Sequence, residues 1–150
     1  MHAEEKDVRP SVHKPFQRKK FCENSVSKKA FSFAYFERLH SQTDFKKVFK
    51  TGLRFDNKNI KILAYKRNDV STIRRLGLVT PKKIGTSVIR NRVKRRLREI
   101  FRTNKHFIYP GLDLIFISNT RTALLDYKTL KKNILDLLKI AKLLRIGVTL

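Results

Sequence analysis

The sequence from residue 90 to residue 102 is RNRVKRRLREIFR. At 100° per residue, this stretch and the residue before it place apolar side chains on one stripe: Ile89, Val93, Leu97, Ile100 and Phe101. Seven cations and one carboxylate, Glu99, are among the thirteen residues. We expect Arg95 and Glu99, one turn apart, to pair. The stretch therefore predicts a helix with one apolar side and one cationic side.

A dense charge run is usually a solvated surface, and the pattern alone leaves that interpretation open. Three observations favour a polyanionic partner. Most of the cations are arginines, whose planar fork matches phosphate; Lys82 and Lys83 stand just before the helix; and like charges at this density cost stability unless a partner compensates them. Neutralising about five phosphates predicts a log-log salt slope near −4 on a duplex.

The composition of the whole chain points the same way. Its 150 residues fit one domain, and 36 Lys and Arg against 12 Asp and Glu give a formal charge of +24. No apolar run approaches the roughly 20 residues of a membrane span, and the N-terminus lacks a signal-like stretch. We therefore expect a cytoplasmic protein with no membrane partner. A lone Cys22 and four scattered histidines give no zinc-ligand spacing, so no structural metal is expected.

The chain divides into an extension and a domain. Residues 1–36 mix charges, serines and two prolines without helix or strand periodicity, which predicts a basic, flexible extension. Residues 37–150 show clear periodicities and form the predicted domain.

The domain pattern predicts alternating helices and strands. Ser41 begins a first helix, about 41 to 51, which Gly52 ends. Residues 54–66 and 73–81 read as strands, with a polar turn at 67–72. Thr86 caps the basic helix, which runs to about Asn104, and Pro110-Gly111 precedes a buried strand at 112–117. Asp126 caps a last helix with an apolar stripe: Tyr127, Leu130, Ile134, Leu137, Leu138, Ala141 and Leu144. This order predicts an α+β sandwich.

Three stretches resemble the signature of the bacterial ribonuclease P protein subunit. They are LVTPKKIG at 78–85, VIRNRVKRRLRE at 88–99, which contains the Arg-Asn-Arg motif of that family, and DFKKVF at 44–49, which is similar to its first-helix motif. The resemblance extends from about residue 38 to residue 144. It implies a single two-layer sandwich of order α-β-β-β-α-β-α, ribosomal protein S5 domain 2-like, with a left-handed βαβ crossover and Gly85 at the strand-to-helix transition. Pattern alone would predict the common right-handed crossover.

The resemblance also implies a function. In that family the RNA subunit cleaves the 5′ leader from precursor tRNA with magnesium, and the protein contributes binding. The chain is thus expected to be a subunit of an endoribonuclease, with the catalytic RNA and the leader as partners, no obligate protein partner, and Mg²⁺ held mainly by the RNA. No catalytic residue is expected on the protein itself, and the sequence has no Ser-His-Asp arrangement.

Two sets of residues match family contact positions or adjoin them. The expected contacts to the catalytic RNA are Lys82, Lys83, Arg90, Asn91, Arg92, Lys94, Arg95, Arg98 and Arg102. Asn91 also matches a position linked to a shared metal site, although one amide oxygen is a poor magnesium ligand.

The expected contacts to the leader are Phe45, Phe49, Lys61, Leu63 and Tyr65. Exposed rings stack on unpaired bases, yet an aromatic pair at this spacing is as often core. The family often has an aromatic residue at the position of Leu63, and this sequence departs from that pattern. Tyr65 lies two residues on and would face the same side of the strand.

Two other functional classes stay open. A ribosomal-protein-like structural RNA binder would carry the same charge and the same element order without a role in cleavage. A stand-alone nuclease would cleave RNA in the absence of an RNA subunit.

Overall fold

Four strands form one mixed sheet in the order β1-β2-β4-β3 in the computed structural model, which describes residues 32–145. The strands are β1 (Leu53–Asp56), β2 (Ile60–Lys66), β3 (Arg75–Val79) and β4 (Leu112–Ser118), and the helices are α1 (Gln42–Thr51), α2 (Ser87–Asn104), α3 (Thr120–Leu124) and α4 (Tyr127–Ile140). Strand β4 runs antiparallel to β2 and parallel to β3. The predicted α+β class is confirmed, with α3 as an additional short helix.

The stretch 54–66, which the pattern predicts as a strand, forms the hairpin of β1 and β2. The side chain of Asn57 makes its turn, because Oδ1 accepts from the backbone N–H groups of Asn59 (3.0 Å) and Ile60 (2.9 Å). Strand β3, helix α2 and strand β4 form the predicted βαβ unit. The left-handed sense of its crossover stays an expectation from the resemblance.

One face of the sheet is covered by α2 and α4. The stripe predicted for α2 is confirmed, because Val93, Leu97, Ile100 and Phe101 are at most 1% exposed. From α4, the predicted residues Leu130, Ile134, Leu137 and Leu138 are buried in the same cluster. The sheet contributes alternate residues, among them Ile60, Ile62 and Ala64 from β2. This side holds the main core.

The opposite face carries α1. The predicted cap is present, because the backbone N–H of Thr43 donates to Oγ of Ser41 (3.2 Å). Val48 is completely buried against a small cluster of Leu39, Leu63 and Ile115. Leu63 and Ile115 are the residues whose side chains alternate away from the main core. This second cluster seats α1 on the sheet and leaves part of the face uncovered.

Residues before the predicted boundary at residue 37 already pack on the domain. Phe33 packs edge-on against Phe101 of α2, with ring centroids 5.6 Å apart, and the Nζ of Lys105 donates to the backbone oxygen of Ser32 (2.5 Å). Residues 32–36 therefore belong to the domain rather than to the extension. Residues 1–31 and 146–150 lie outside the described residues.

Candidate nucleic-acid interface

The cationic side of α2 begins at a turn that Gly85 makes possible. Gly85 has a φ of +140°, which side-chain-bearing residues rarely adopt. Its backbone oxygen accepts from Nη1 of Arg90 (2.8 Å). Thr86 occupies the N-cap position as predicted, but its hydroxyl makes no capping hydrogen bond, which corrects that detail. The turn thus places Lys82 and Lys83 directly before the helix, and both are exposed.

Four cations of α2 have no partner. Within residues 32–145, no hydrogen bond or ion pair is made by the side chains of Arg92, Lys94, Arg95 and Arg98. Like charges this close repel one another and raise the free energy of the folded protein. Among the described residues, these four cations therefore stay unneutralised on the surface of the helix.

The single carboxylate of this stretch pairs with a different arginine from the one expected. Glu99 contacts Arg102, three residues on, at 2.5 Å, and not Arg95. Hydrogen bonding to Arg102 lowers the pKa of Glu99, and the same bond raises the pKa of Arg102. The pair leaves Arg95 without a carboxylate partner among the described residues. Arg102 is the α2 cation that pairs with a carboxylate there. Arg96, on the other shoulder, donates to the backbone oxygen of Leu125 (2.8 Å) and ties α2 to the segment before α4.

Asn91 is exposed on the same helix between Arg90 and Arg92. A magnesium ion prefers carboxylate and water oxygens, whereas the neighbours of this amide are cations that repel it. Across the part of the chain that the structure describes, there is no cluster of three acidic, histidine or cysteine side chains suited to a metal ion. The residues around Asn91 do not fit a magnesium site held by the protein alone.

A groove on the α1 side forms the second surface, which we call the cleft. It has a volume of about 380 Å³, and its lining includes Phe49, Lys61, Leu63 and Lys83. Phe49 is 38% exposed, so its ring is available at the rim. Leu63 is 3% exposed and contributes to the floor rather than to a contact surface. The cleft thus joins an aromatic edge to two lysines.

Phe45 sits deeper than Phe49. Its ring lies over Gly77, where an added Cβ would be only 2.7 Å from Cζ of the ring. Phe45 also lines a depression of about 220 Å³ together with Lys94 and Arg98 of α2. Of the aromatic pair, Phe45 is therefore partly core, whereas Phe49 is mainly surface.

Tyr65 faces the same side of β2 as Leu63, as predicted, but it lies outside the cleft. Its ring is covered by Nζ of Lys47 at 5.0 Å, and it borders a different depression with Asp44 and Arg75. Helix α1 lies between the cleft and this depression, because Phe49 lines the first and Asp44 and Lys47 line the second. Four of the five residues expected for the leader, all except Tyr65, border the cleft or the depressions next to it.

An ion-pair network that the sequence analysis missed fixes α1 to the sheet. Arg75 of β3 donates from Nε and Nη2 to both carboxylate oxygens of Asp113 in β4 (2.7 and 2.5 Å), and from Nη1 to Asp44 of α1 (2.9 Å). Asp113 is 2% exposed. Hydrogen bonding to Asp113 raises the pKa of Arg75. The sequence offered one sign of this network, because Asp113 is an acidic residue inside the apolar run 112–117 and a buried carboxylate needs a cationic partner.

No helix within residues 32–145 is long and apolar enough to cross a lipid bilayer.

Among families of known proteins, the model described as ribonuclease P matches residues 33–142. A ribonuclease P protein component of Streptococcus pneumoniae is 34% identical over 110 residues, which cover 73% of this chain and 88% of that protein.

Two solved structures are similar to the fold described above. The RNase P protein of Staphylococcus aureus superimposes with a TM-score of 0.67 at 28% identity, over 73% of this chain and 98% of that chain. The RNase P protein of Thermotoga maritima gives a TM-score of 0.62 at 35% identity, over 69% of this chain and 96% of that chain.

Proposed function

Since the chain belongs to the ribonuclease P protein family, we propose that it binds the catalytic RNA through α2 and the 5′ leader of precursor tRNA through the cleft. Its role in tRNA 5′ processing follows from the family. The observation that carries the finer proposal is the position of Lys83. This lysine lines the cleft and also belongs to the turn from which α2 begins.

The α2 surface suits a folded RNA. Arginines at 90, 92, 95 and 98 lie on a helix whose apolar side is anchored in the main core, so the cations are held on a rigid element. Guanidinium groups match phosphate oxygens in two-point contacts, and none of these four pairs with a carboxylate of residues 32–145. Arg102 contributes less in this proposal because Glu99 already occupies its guanidinium.

The cleft suits a single strand. The exposed ring of Phe49 can stack on a base, and Lys61 and Lys83, which line the same cleft, can contact the neighbouring phosphates. Stacking needs no particular base, which fits leaders of varied sequence. Phe45 borders one depression with Phe49 and another with Lys94 and Arg98, so it lies between the two proposed binding surfaces.

Chemistry is assigned to the RNA subunit in this proposal, and magnesium is held there, because the residues around Asn91 do not fit a protein-held ion. The protein binds the leader, orients it and supplies cations that reduce repulsion between two RNA molecules. Both partners are met in the cytoplasm.

The test is reconstitution of purified protein with its cognate RNA subunit at low millimolar magnesium. We expect the protein to raise cleavage of precursor tRNA and to bind precursor tRNA more tightly than mature tRNA. Phe49→Ala should reduce that preference with little effect on assembly with the RNA subunit, because Phe49 lines the cleft. Failure to raise cleavage would refute the assignment.

The same assay separates the two alternatives. A structural RNA binder would assemble with RNA but show equal affinity for precursor and mature tRNA. A stand-alone nuclease would cleave in the protein-only reaction.

A further inference from the structure

Two aromatic rings are exposed in the segment that precedes α1. Tyr35 is 75% exposed and Phe36 is 56% exposed. The ring of Tyr35 stacks on the imidazole of His40, with centroids 4.5 Å apart and 24° between the planes. Rings of this size are usually buried at least in part, so a stacked pair on the surface marks a place where another flat group can bind. We call Tyr35 and His40 the ring pair.

The backbone on either side of the ring pair is fixed. The N–H of Leu39 donates to the backbone oxygen of Leu76 in β3 (3.0 Å), and Leu39 is buried. Glu37 accepts from the backbone N–H of Ala34 (2.8 Å) and forms an ion pair with Lys105. Because these contacts already restrain the segment, a ligand that stacks on the rings has less conformational entropy to remove.

A continuous surface connects the ring pair to the cleft. His40 lines an open depression of about 820 Å³ whose other lining residues include Phe45, Lys46, Phe49 and Lys50 of α1. Phe49 is shared between this depression and the cleft. A strand leaving the cleft past Phe49 would therefore pass two exposed lysines before it reached His40 and Tyr35.

We propose that the ring pair is a further base-stacking site, which binds nucleotides of a longer 5′ leader upstream of those held in the cleft. The inference rests on the proposed function, because it takes the leader to occupy the cleft. Single-stranded RNA fits this path since aromatic rings interleaved with cations bind bases and phosphates together. The residues before Ser32 carry more cations than acids, so their charge does not complement a path bordered by Lys46 and Lys50.

The experiment uses the reconstituted holoenzyme and precursor tRNAs whose leaders are about 4 or about 12 nucleotides long, the range that single-strand binding grooves usually hold. Dissociation constants are measured for the natural protein, Tyr35→Ala, Tyr35→Phe and Phe49→Ala, because Phe49 lines the cleft. Tyr109→Ala is the control, since Tyr109 is 40% exposed but does not line the cleft or the depressions next to it. Thermal unfolding of each free protein is recorded in parallel.

We expect Tyr35→Ala to weaken binding of the long leader about fivefold or more, the loss of one base stack. The short leader should bind as before, and Tyr35→Phe should restore the long-leader affinity. Phe49→Ala should weaken both leaders, and Tyr109→Ala neither.

Two results would overturn the ring-pair site. One is a Tyr35→Ala variant that binds both leaders like the natural protein while Phe49→Ala weakens both, in which case the leader-binding cleft stands alone. The other is a Tyr35→Ala variant that unfolds at lower temperature without any leader-length effect, which would show that the ring packs against the chain's own residues. If Phe49→Ala weakens neither leader, the cleft proposal fails, and the length dependence of Tyr35→Ala still decides the ring pair.

Discussion

The two faces of the sheet differ in how completely helices cover them. The α2/α4 face buries a continuous apolar cluster, whereas the α1 face buries four hydrophobic residues and leaves a groove beside Phe49. Both faces use the same strands, whose side chains alternate between them. One face therefore provides stability, and the other remains accessible to a ligand.

The largest difference between the faces should be measured by removing one leucine from each. Leu97→Ala empties a site that is 0% exposed among α2, α4 and the sheet, and should cost about 2 to 5 kcal/mol of unfolding free energy. Leu63→Ala borders the cleft, where neighbours can relax, and should cost about 2 kcal/mol. Urea unfolding of the free protein measures both, and equal losses would contradict the contrast.

The second effect concerns the ion pairs of Arg75, which hold α1 on the sheet. Asp113→Asn removes the negative charge that pairs with Arg75 and, at 3.4 Å, with Arg67, and leaves Asp44 as the carboxylate partner of Arg75. We expect a loss of about 3 kcal/mol, near the lower end for buried pairs because Arg75 is partly exposed. Precursor affinity should also fall, since Asp44 belongs to α1, which carries Phe45 and Phe49.

Asp136→Asn is the matched control for this change. Asp136 is exposed on α4 and makes no hydrogen bond or ion pair within residues 32–145. Its substitution should leave both stability and affinity unchanged. A loss as large as that of Asp113→Asn would show that the change in net charge, and not the loss of the Arg75 ion pair, is responsible.

The third effect separates RNA binding from stability on α2, whose apolar side covers the sheet and whose Arg95 is exposed. Arg95→Ala should leave the unfolding free energy within about 0.5 kcal/mol, because this exposed side chain has no partner in the part of the chain described. It should lower the slope of log affinity against log salt for the RNA subunit by about 1. Lys132→Ala on the outer side of α4 is the control, and an unchanged slope in Arg95→Ala would remove α2 from the proposed interface.

The smallest effect lies at the start of α4. The side chain of Asp126 accepts from the backbone N–H groups of Lys128 and Thr129. Hydrogen bonding by Thr129 lowers the pKa of Asp126, so its contribution to stability is present above the ordinary carboxyl pKa and is lost as pH falls through the lowered value.

Asp126→Asn keeps a side chain that can cap the helix but cannot titrate. The fall in melting temperature between pH 6 and pH 3 should therefore be slightly smaller in this variant than in the natural protein. An identical fall would show that the cap does not contribute to acid sensitivity.

Periodicity was sufficient to predict the covered face. The stripes of α2 and α4 repeat at the helical period, and the run 112–117 contains too few residues for most helices, so their burial follows from local spacing. The caps of α1 and α4 were equally local, because Ser41 and Asp126 precede the helices they bind.

Features of the open face depended on contacts distant in sequence. The pairing of Arg75 with Asp113 requires the parallel register of β3 and β4, and the separation of Tyr65 from the cleft requires the path of α1 across the sheet. The pairing of Glu99 with Arg102 rather than Arg95 involves only neighbouring residues of one helix. Both the three-residue and the four-residue spacing allow contact, so the pattern could not decide between them. Helix α3 was predictable in principle, since Asn119 and Thr122 form its capping box.

The close approach of Phe45 to Gly77 has a consequence for sequence change. A side chain at position 77 would collide with the ring, with Cβ at 2.7 Å from Cζ. Alanine there requires the Phe45 ring to move or a smaller residue at position 45, and either change would alter the surface beside Lys94. The two positions should therefore covary among relatives, and a chain that replaces one alone should be selected against even where its core is intact.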